Sequence, residues 1–131
     1  MTRQTVDEML ARARARLERL SPAAALAAME DGAFLVDVRR AEQVTDDGRI
    51  PGAVEISLNV LEWRLDPDSR ARLADGPALE DVVIVLCDEG YCSSLAASRL
   101  RDLGFGRATD VEGGFQAWRA QGQPVDGVEA P

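Results

Sequence analysis

The residues most able to do chemistry lie in one stretch, VVIVLCDEGYCSS, from Val82 to Ser94. An apolar run ends on Cys87, a polar loop follows, and Cys92 precedes a pair of serines. A thiol attacks as its thiolate, so a reactive Cys87 needs its pKa lowered. The chain holds two cysteines and no histidine, which excludes a Ser-His-Asp or Cys-His mechanism within it. Too few soft ligands remain for a usual zinc site. The remaining activators are backbone N–H groups and the positive end of a helix. Asp88, Glu89, Gly90, Tyr91, Cys92 and Ser93 can supply both if the loop curls around Cys87 and a helix starts near Ser93. Gly90 permits a tight or left-handed curl, and Ser93 and Ser94 are good helix caps. The residues alone leave a second role open, a buried structural cysteine.

Such a loop needs a strand before it and a helix after it. VVIVLC (82–87) is β-branched and wholly apolar, as a central strand is. SSLAASRLRDLG after it reads as a helix stopped by Gly104. Upstream, 5–20 has an amphipathic stripe of Val6, Met9, Leu10, Ala13, Leu17 and Leu20. Thr5 and Glu8 are spaced as a capping box there. This helix either packs on the domain or binds a partner. Ser21-Pro22 opens a second helix ending near Asp31-Gly32. AFLVDV (33–38) reads as a buried parallel strand, and RRAEQVTDDGR as a polar segment. A brief strand at Val54–Ile56 follows the Pro51-Gly52 turn, and LEWRL forms a short helix. DPDSRARLADGPALED is surface connection, ATDVEGG holds one more short strand, and FQAWRAQG a last helical segment.

Alternating strands and helices predict an α/β fold. Its mainly parallel central sheet has about five strands and helices on both faces, plus an extra N-terminal helix. Sites in such sheets form at the carboxyl ends of strands, where Cys87 stands. The expected division is an N-terminal helix over 1–20, the domain over 21–125 and a fraying tail over 126–131.

The 131 residues suffice for one domain with its own core. A formal net charge of -8 argues against a nucleic-acid partner, since little here would release counterions from phosphates. No apolar run approaches a membrane span and no signal-peptide core is present, so no membrane partner and a cytoplasmic location are expected. The oligomeric state is not set by these patterns.

CDEGYCSSLAA resembles the active-site loop of rhodanese domains, with Gly three and Ser six positions after the cysteine. LVDVR (35–39) is similar to that family's first strand motif, and GRIPGAVEIS (48–57) to its Gly-His-Ile-Pro-Gly-Ala turn, with Arg49 in place of the histidine. VEGGFQAW (111–118), followed by GQPV, resembles its closing segment. The resemblance spans 21–125 and implies a rhodanese-like single-domain sulfurtransferase. Cys87 would take a sulfane sulfur from thiosulfate or a persulfide, hold it as a persulfide over the amides of 88–93, and pass it to a thiol or protein acceptor. No cofactor and no metal are implied.

Two departures bear on that reading. Many members carry a basic residue beside the cysteine, where this chain has Asp88 and Glu89. Repulsion at a few ångströms near a surface is on the order of 1–4 kcal/mol per charge pair. Weak thiosulfate activity, or a less anionic donor, is therefore expected, unless both carboxylates point into solvent. Cys92 stands where many members have arginine, which weakens a phosphatase reading. It also opens an alternative in which Cys87 and Cys92 act as a thiol–disulfide or peroxide-responsive pair. That bridge demands a Cα separation below about 7 Å. In another alternative the chain is a noncatalytic binding module of the same fold. Arg39 and Arg49 are candidates for the pocket rim, with Arg40 beside them. Asp37 is expected to give structural support, either capping the next turn or pairing with Arg39, and Gly113-Gly114 a close turn beside the loop. Trp63, Phe115 and Trp118 are expected in the core or at the rim.

Overall fold

The computed structural model describes residues 2–127. Six helices alternate with four strands: α1 (Val6–Ala15), α2 (Pro22–Glu30), β1 (Phe34–Asp37), α3 (Ala41–Asp47), β2 (Val54–Glu55), α4 (Leu61–Leu65), β3 (Val83–Leu86), α5 (Cys92–Asp102), β4 (Ala108–Asp110) and α6 (Gly114–Ala120). All strand pairs are parallel, in the order β2-β1-β3-β4. The regular sheet therefore has four strands, not about five. At the β4 edge, where a fifth would lie, Leu20 makes a single parallel bridge to Val111.

Side chains alternate across each strand, so the sheet carries two cores. Val36, Val83, Val85 and Cys87 face Ala96, Ala97 and Leu100 of α5 and Leu61 and Leu65 of α4. Leu35, Ile84 and Leu86 face Ala25 of α2 and Phe115 and Trp118 of α6. The period of two that buries Val83 and Val85 thus also turns Cys87 toward the layer that holds α5.

The predicted caps form. Thr5 accepts the Glu8 amide while Glu8 accepts the Thr5 amide, both at 3.1 Å. Ser21 accepts the Ala24 amide with Pro22 at the start of α2. The first helix is shorter than the stripe over 5–20. It stops at Ala15, and of that stripe Val6 and Met9 are exposed while Ala13 is buried. Helix α3 falls in the segment read only as polar. Its buried residue is Val44, too little for an apolar period to show. Its first turn is held by Gln43, whose Oε1 accepts the Arg40 amide at 3.1 Å. Trp63 is 60% exposed and belongs to neither core, whereas Phe115 and Trp118 are fully buried. The expected fraying does not begin at 126, because Asp126 and Arg49 exchange backbone hydrogen bonds at 2.8 and 2.9 Å. Residues 128–131 of that tail lie outside the described residues. No helix among the described residues is long and apolar enough to cross a membrane.

Candidate active site

The strand order reverses direction between β1 and β3, and an open parallel sheet has its crevice outside the carboxyl ends of such strands. Asp37 lies opposite Leu86, so β1 and β3 end level with each other. An open cleft of ≈ 840 Å³ sits there, walled by the chain leaving β1 (Val38 to Gln43), by Glu55 to Asn59, and by the loop after β3. Cys87, Asp88, Glu89, Tyr91 and Cys92 all line it.

Cys87 is 4% exposed and sits in a cup of donors. The Gly90 amide donates to its sulfur at 3.1 Å. Helix α5 begins at Cys92, one residue before the expected start, and its cap Tyr91 offers no side-chain bond. The first amides of a helix have no intrahelical acceptor, and the Ser93 amide is among the groups that lower the Cys87 pKa. The thiol of Cys92 completes the cup. Its S–H donating to the Cys87 sulfur is the largest cause that brings the Cys87 thiol down to about 5; burial opposes it, and Ser93 and Gly90 add to it. Cys92, an exposed residue of the cleft lining, is pushed above the ordinary thiol range, chiefly by giving its hydrogen to the Cys87 sulfur. The two shifts run in opposite directions, so Cys87 is the thiol of the pair that gives up its proton more readily and Cys92 the one that keeps it. Both are free in this structure.

Ser93 and Ser94 are not caps. Both are fully buried and donate their hydroxyls to Asp110 Oδ2 at 2.7 Å. A hydroxyl has one hydrogen, so with that hydrogen on Asp110 the support Ser93 gives the sulfur comes from its backbone N–H. Asp110 was absent from the residues singled out in the sequence. So were Arg14 and Arg19, which reach Gly90 O at 2.8 and 3.0 Å. A carboxylate ending a short strand and arginines in an amphipathic helix carry no local signal for a loop so far along the chain.

The Gly113-Gly114 turn lies against the loop. Gly114 has φ +59, and a Cβ there would meet Cys87 O at 2.5 Å and Asp88 O at 2.7 Å. Gly90 (φ +87) packs on the same turn, where a Cβ would come within 2.9 Å of the Gly113 amide nitrogen. The first amides of α6 then close on the loop: Phe115 N–H donates to Cys87 O at 2.8 Å and Gln116 N–H to Asp88 O at 3.0 Å. Gln116 Nε2 also holds the Asp88 carboxylate at 2.9 Å.

The candidate rim cations behave differently. Arg39 is buried, with Nη2 on Asp37 at 2.7 Å and on Gly48 O at 2.9 Å. Its guanidinium carbon lies 3.8 Å from the Phe115 ring centre, and Nη1 has no hydrogen-bond partner among the described residues. Asp37 is thus its structural partner, and the charge of Arg39 is neutralised beneath the wall. Arg49 does not line the cleft; it pairs with Glu55 at 3.4 Å. Arg40 is the exposed cation of the lining, against the carboxylates of Glu42, Glu55, Asp88 and Glu89. The cleft mouth is acidic although its floor favours an anion.

Comparison with known proteins follows the same lines. The family model described as a rhodanese-like domain matches residues 21–121. A thiosulfate sulfurtransferase GlpE from Pseudomonas savastanoi pv. phaseolicola is 37% identical over 103 residues, covering 79% of this chain and 88% of that protein. Among solved structures, one from Rhodopseudomonas palustris, called a protein of unknown function and possible tyrosine phosphatase, superposes with TM-score 0.85 at 30% identity over 96% of this chain and 97% of its own. The human single-domain sulfurtransferase TSTD1 gives TM-score 0.68 at 29% identity over 79% and 96%. The matched span takes in the ends of β1 and β3, the cysteine loop and the glycine turn that closes on it, and the chain belongs to the rhodanese-like domain family.

Proposed function

We propose that the chain is a rhodanese-type sulfurtransferase in which Cys87 carries the sulfur. The observation that carries this reading is the buried Cys87 sulfur on the cleft floor, which accepts the Gly90 amide at 3.1 Å in a setting that lowers its pKa. The thiolate attacks the outer, sulfane sulfur of a donor; the sulfur–sulfur bond of the donor breaks, and its electron pair leaves with the remainder, sulfite when the donor is thiosulfate. Cys87 then carries a persulfide whose terminal charge is stabilised by donors aimed where the negative charge lies. A thiolate acceptor attacks that terminal sulfur and leaves as a new persulfide, returning the Cys87 thiolate. This is ping-pong covalent chemistry.

The acidic mouth sets the donor class. A doubly charged donor must pass Glu42, Glu55 and Glu89, with Arg40 as the exposed counter-charge of the lining. A neutral or protein-borne persulfide is therefore the better donor, and thiosulfate a weak one. Two free thiols suit a reducing compartment, and cytoplasmic placement is part of this reading.

Intact mass after incubation of the reduced protein tests it. One added sulfur atom is expected from a small neutral persulfide, and less from thiosulfate at equal concentration. The gain should survive Cys92→Ser and vanish with Cys87→Ser. No added sulfur from either donor would sink the proposal.

A second reading has its own observation, two free thiols five residues apart, Cys87 and Cys92, that line the same cleft. Peroxide would oxidise the Cys87 thiolate to a sulfenic acid, and the Cys92 sulfur would displace hydroxide from it to close a disulfide. A loss of two hydrogens under mild peroxide, absent in Cys92→Ser, is its signature. Retention of full mass under that treatment would remove it.

A further inference from the structure

The cysteine loop contains no cation of its own, only Asp88 and Glu89, yet it must hold a thiolate and then a persulfide. Positive charge reaches it from behind, out of a segment that lies before the family-matched residues 21–121. Arg14 on α1 donates from Nη2 to Gly90 O at 2.8 Å and from Nε to Ser94 Oγ at 3.1 Å. Arg19 donates from Nη2 to the same carbonyl at 3.0 Å. It also forks onto Asp110, at 2.9 Å from Nε and 3.2 Å from Nη2. Asp110 in turn takes the hydroxyls of Ser93 and Ser94. The result is a closed ring of polar contacts that grips the loop on the side away from the cleft.

We propose that Arg14 and Arg19 are positioning residues of the sulfur site, holding the Gly90 carbonyl from outside so that the amides of the cup stay turned toward Cys87. The inference rests on the sulfurtransferase reading of the same loop. Gly90 shows the device at one residue: its N–H faces the sulfur at 3.1 Å while its C=O faces two guanidiniums. All described peptide bonds are trans, and in a planar trans peptide C=O and N–H point opposite ways. Pulling the Gly90 carbonyl toward the arginines therefore turns the Tyr91 N–H away from them. A carbonyl oxygen has two lone pairs and can accept both donors. Two cations on that oxygen also polarise the peptide and place positive charge behind a site ringed by Asp88, Glu89, Glu42 and Glu55.

Both arginines are themselves anchored. Arg16, two residues after Arg14, bonds Asp102 and Ser98 of α5, so α1 is tied to the helix that begins at the cup. Arg19 is set by Leu20, which bonds Asp110 O and receives the Glu112 amide along the β4 edge. The N-terminal segment on this account is neither a bland packing helix nor a partner-binding arm, but a part of the sulfur site.

The test is the pH profile of Cys87 alkylation, read by peptide mass in the full chain, with kcat and KM for a neutral persulfide and the melting midpoint alongside. Arg14→Gln should raise the alkylation midpoint by about one pH unit. It should lower kcat more than it changes KM. Arg14→Lys, which keeps a donor and a charge, should restore part of both, and Arg14→Gln combined with Arg19→Gln should go further than either. Arg14 is only partly buried and pairs with no buried acid, so Arg14→Gln carries the test even where the double variant does not fold. An unmoved midpoint in Arg14→Gln, with or without a lowered melting temperature, overturns the proposal. Alkylation needs no sulfur transfer, so the two readings fail separately. Persulfide formation with an unmoved midpoint sinks the clamp alone. A moved midpoint without any persulfide in the wild-type protein keeps the clamp and sinks the sulfurtransferase.

Discussion

Strands β1 and β3 lie side by side, end at the same level and both run into polar residues, but the chain treats the two ends differently. After β1, Asp37 collects the Arg39 backbone amide, Nε and Nη2, and Arg39 adds Gly48 O, so nearly every donor and acceptor is consumed by protein. After β3, the donors converge on one sulfur atom and little else. The first end is a closed ion pair that supports the wall of the cleft. The second leaves its donors for one sulfur, which on the proposed function carries a charge that changes during reaction. At equal positions in a sheet, the difference between a structural end and a chemical one is whether the polar groups already have partners.

That contrast can be broken from either side. Arg39→Met should have the largest effect on the fold, because it leaves the Asp37 carboxylate buried without its partner. Removing one member of a buried pair costs about 3–5 kcal/mol. Chemical denaturation should show the loss, while the alkylation midpoint of Cys87 in the folded fraction stays near its wild-type value. Gly114→Ala acts at the other end. Its new Cβ would press on Cys87 O and the Asp88 carbonyl, displacing the cup. Sulfur uptake should fall on the order of 100-fold, the scale of a 1 Å misplacement at a reacting centre. Should uptake persist, the loop is more compliant than its contacts with the glycine turn imply.

Cys92→Ala sharpens the contrast within the loop. It removes the S–H donor that contributes most to lowering the Cys87 thiol, so the alkylation midpoint should rise from about 5. A rise of at least about one unit is expected, since the largest favourable contribution is gone while burial continues to oppose ionisation. The sign follows from the direction of the shift: with a folded-state pKa below the unfolded value, the thiolate adds stability at high pH. That stability is lost as pH falls toward about 5. Arg49→Ala should do least. Its pair with Glu55 is exposed on both sides at 3.4 Å, and such pairs contribute about 0–1 kcal/mol. A large effect there would mean that its backbone bridge to Asp126 depends on the side chain.

Several elements were legible from local pattern because local physics makes them. The β-branched run at 82–87 forms β3, Thr5 with Glu8 makes its capping box, and Ser21-Pro22 starts α2. Helix α3 was not, since it buries Val44 alone and needs the tertiary wall to hold it. The candidate site divides in the same way. Cys87, Gly90 and the glycine pair at 113–114 stand out because a strand-end cysteine and positive-φ glycines leave marks in any sequence. Arg39 could not be assigned between wall and rim, because its choice depends on Phe115 and Gly48 arriving beneath it.

The sequence by itself determined an α/β chain with a histidine-free cysteine at the end of its strongest strand, because strand periodicity, turn residues and composition act over a few residues. Only the tertiary structure decided what surrounds that cysteine. The arginines from before residue 21 that converge on Gly90 depend on side chains brought together across up to 80 residues of chain. Such contacts follow from the packing of α1 on α5 and of Leu20 on β4, and no local pattern carries them.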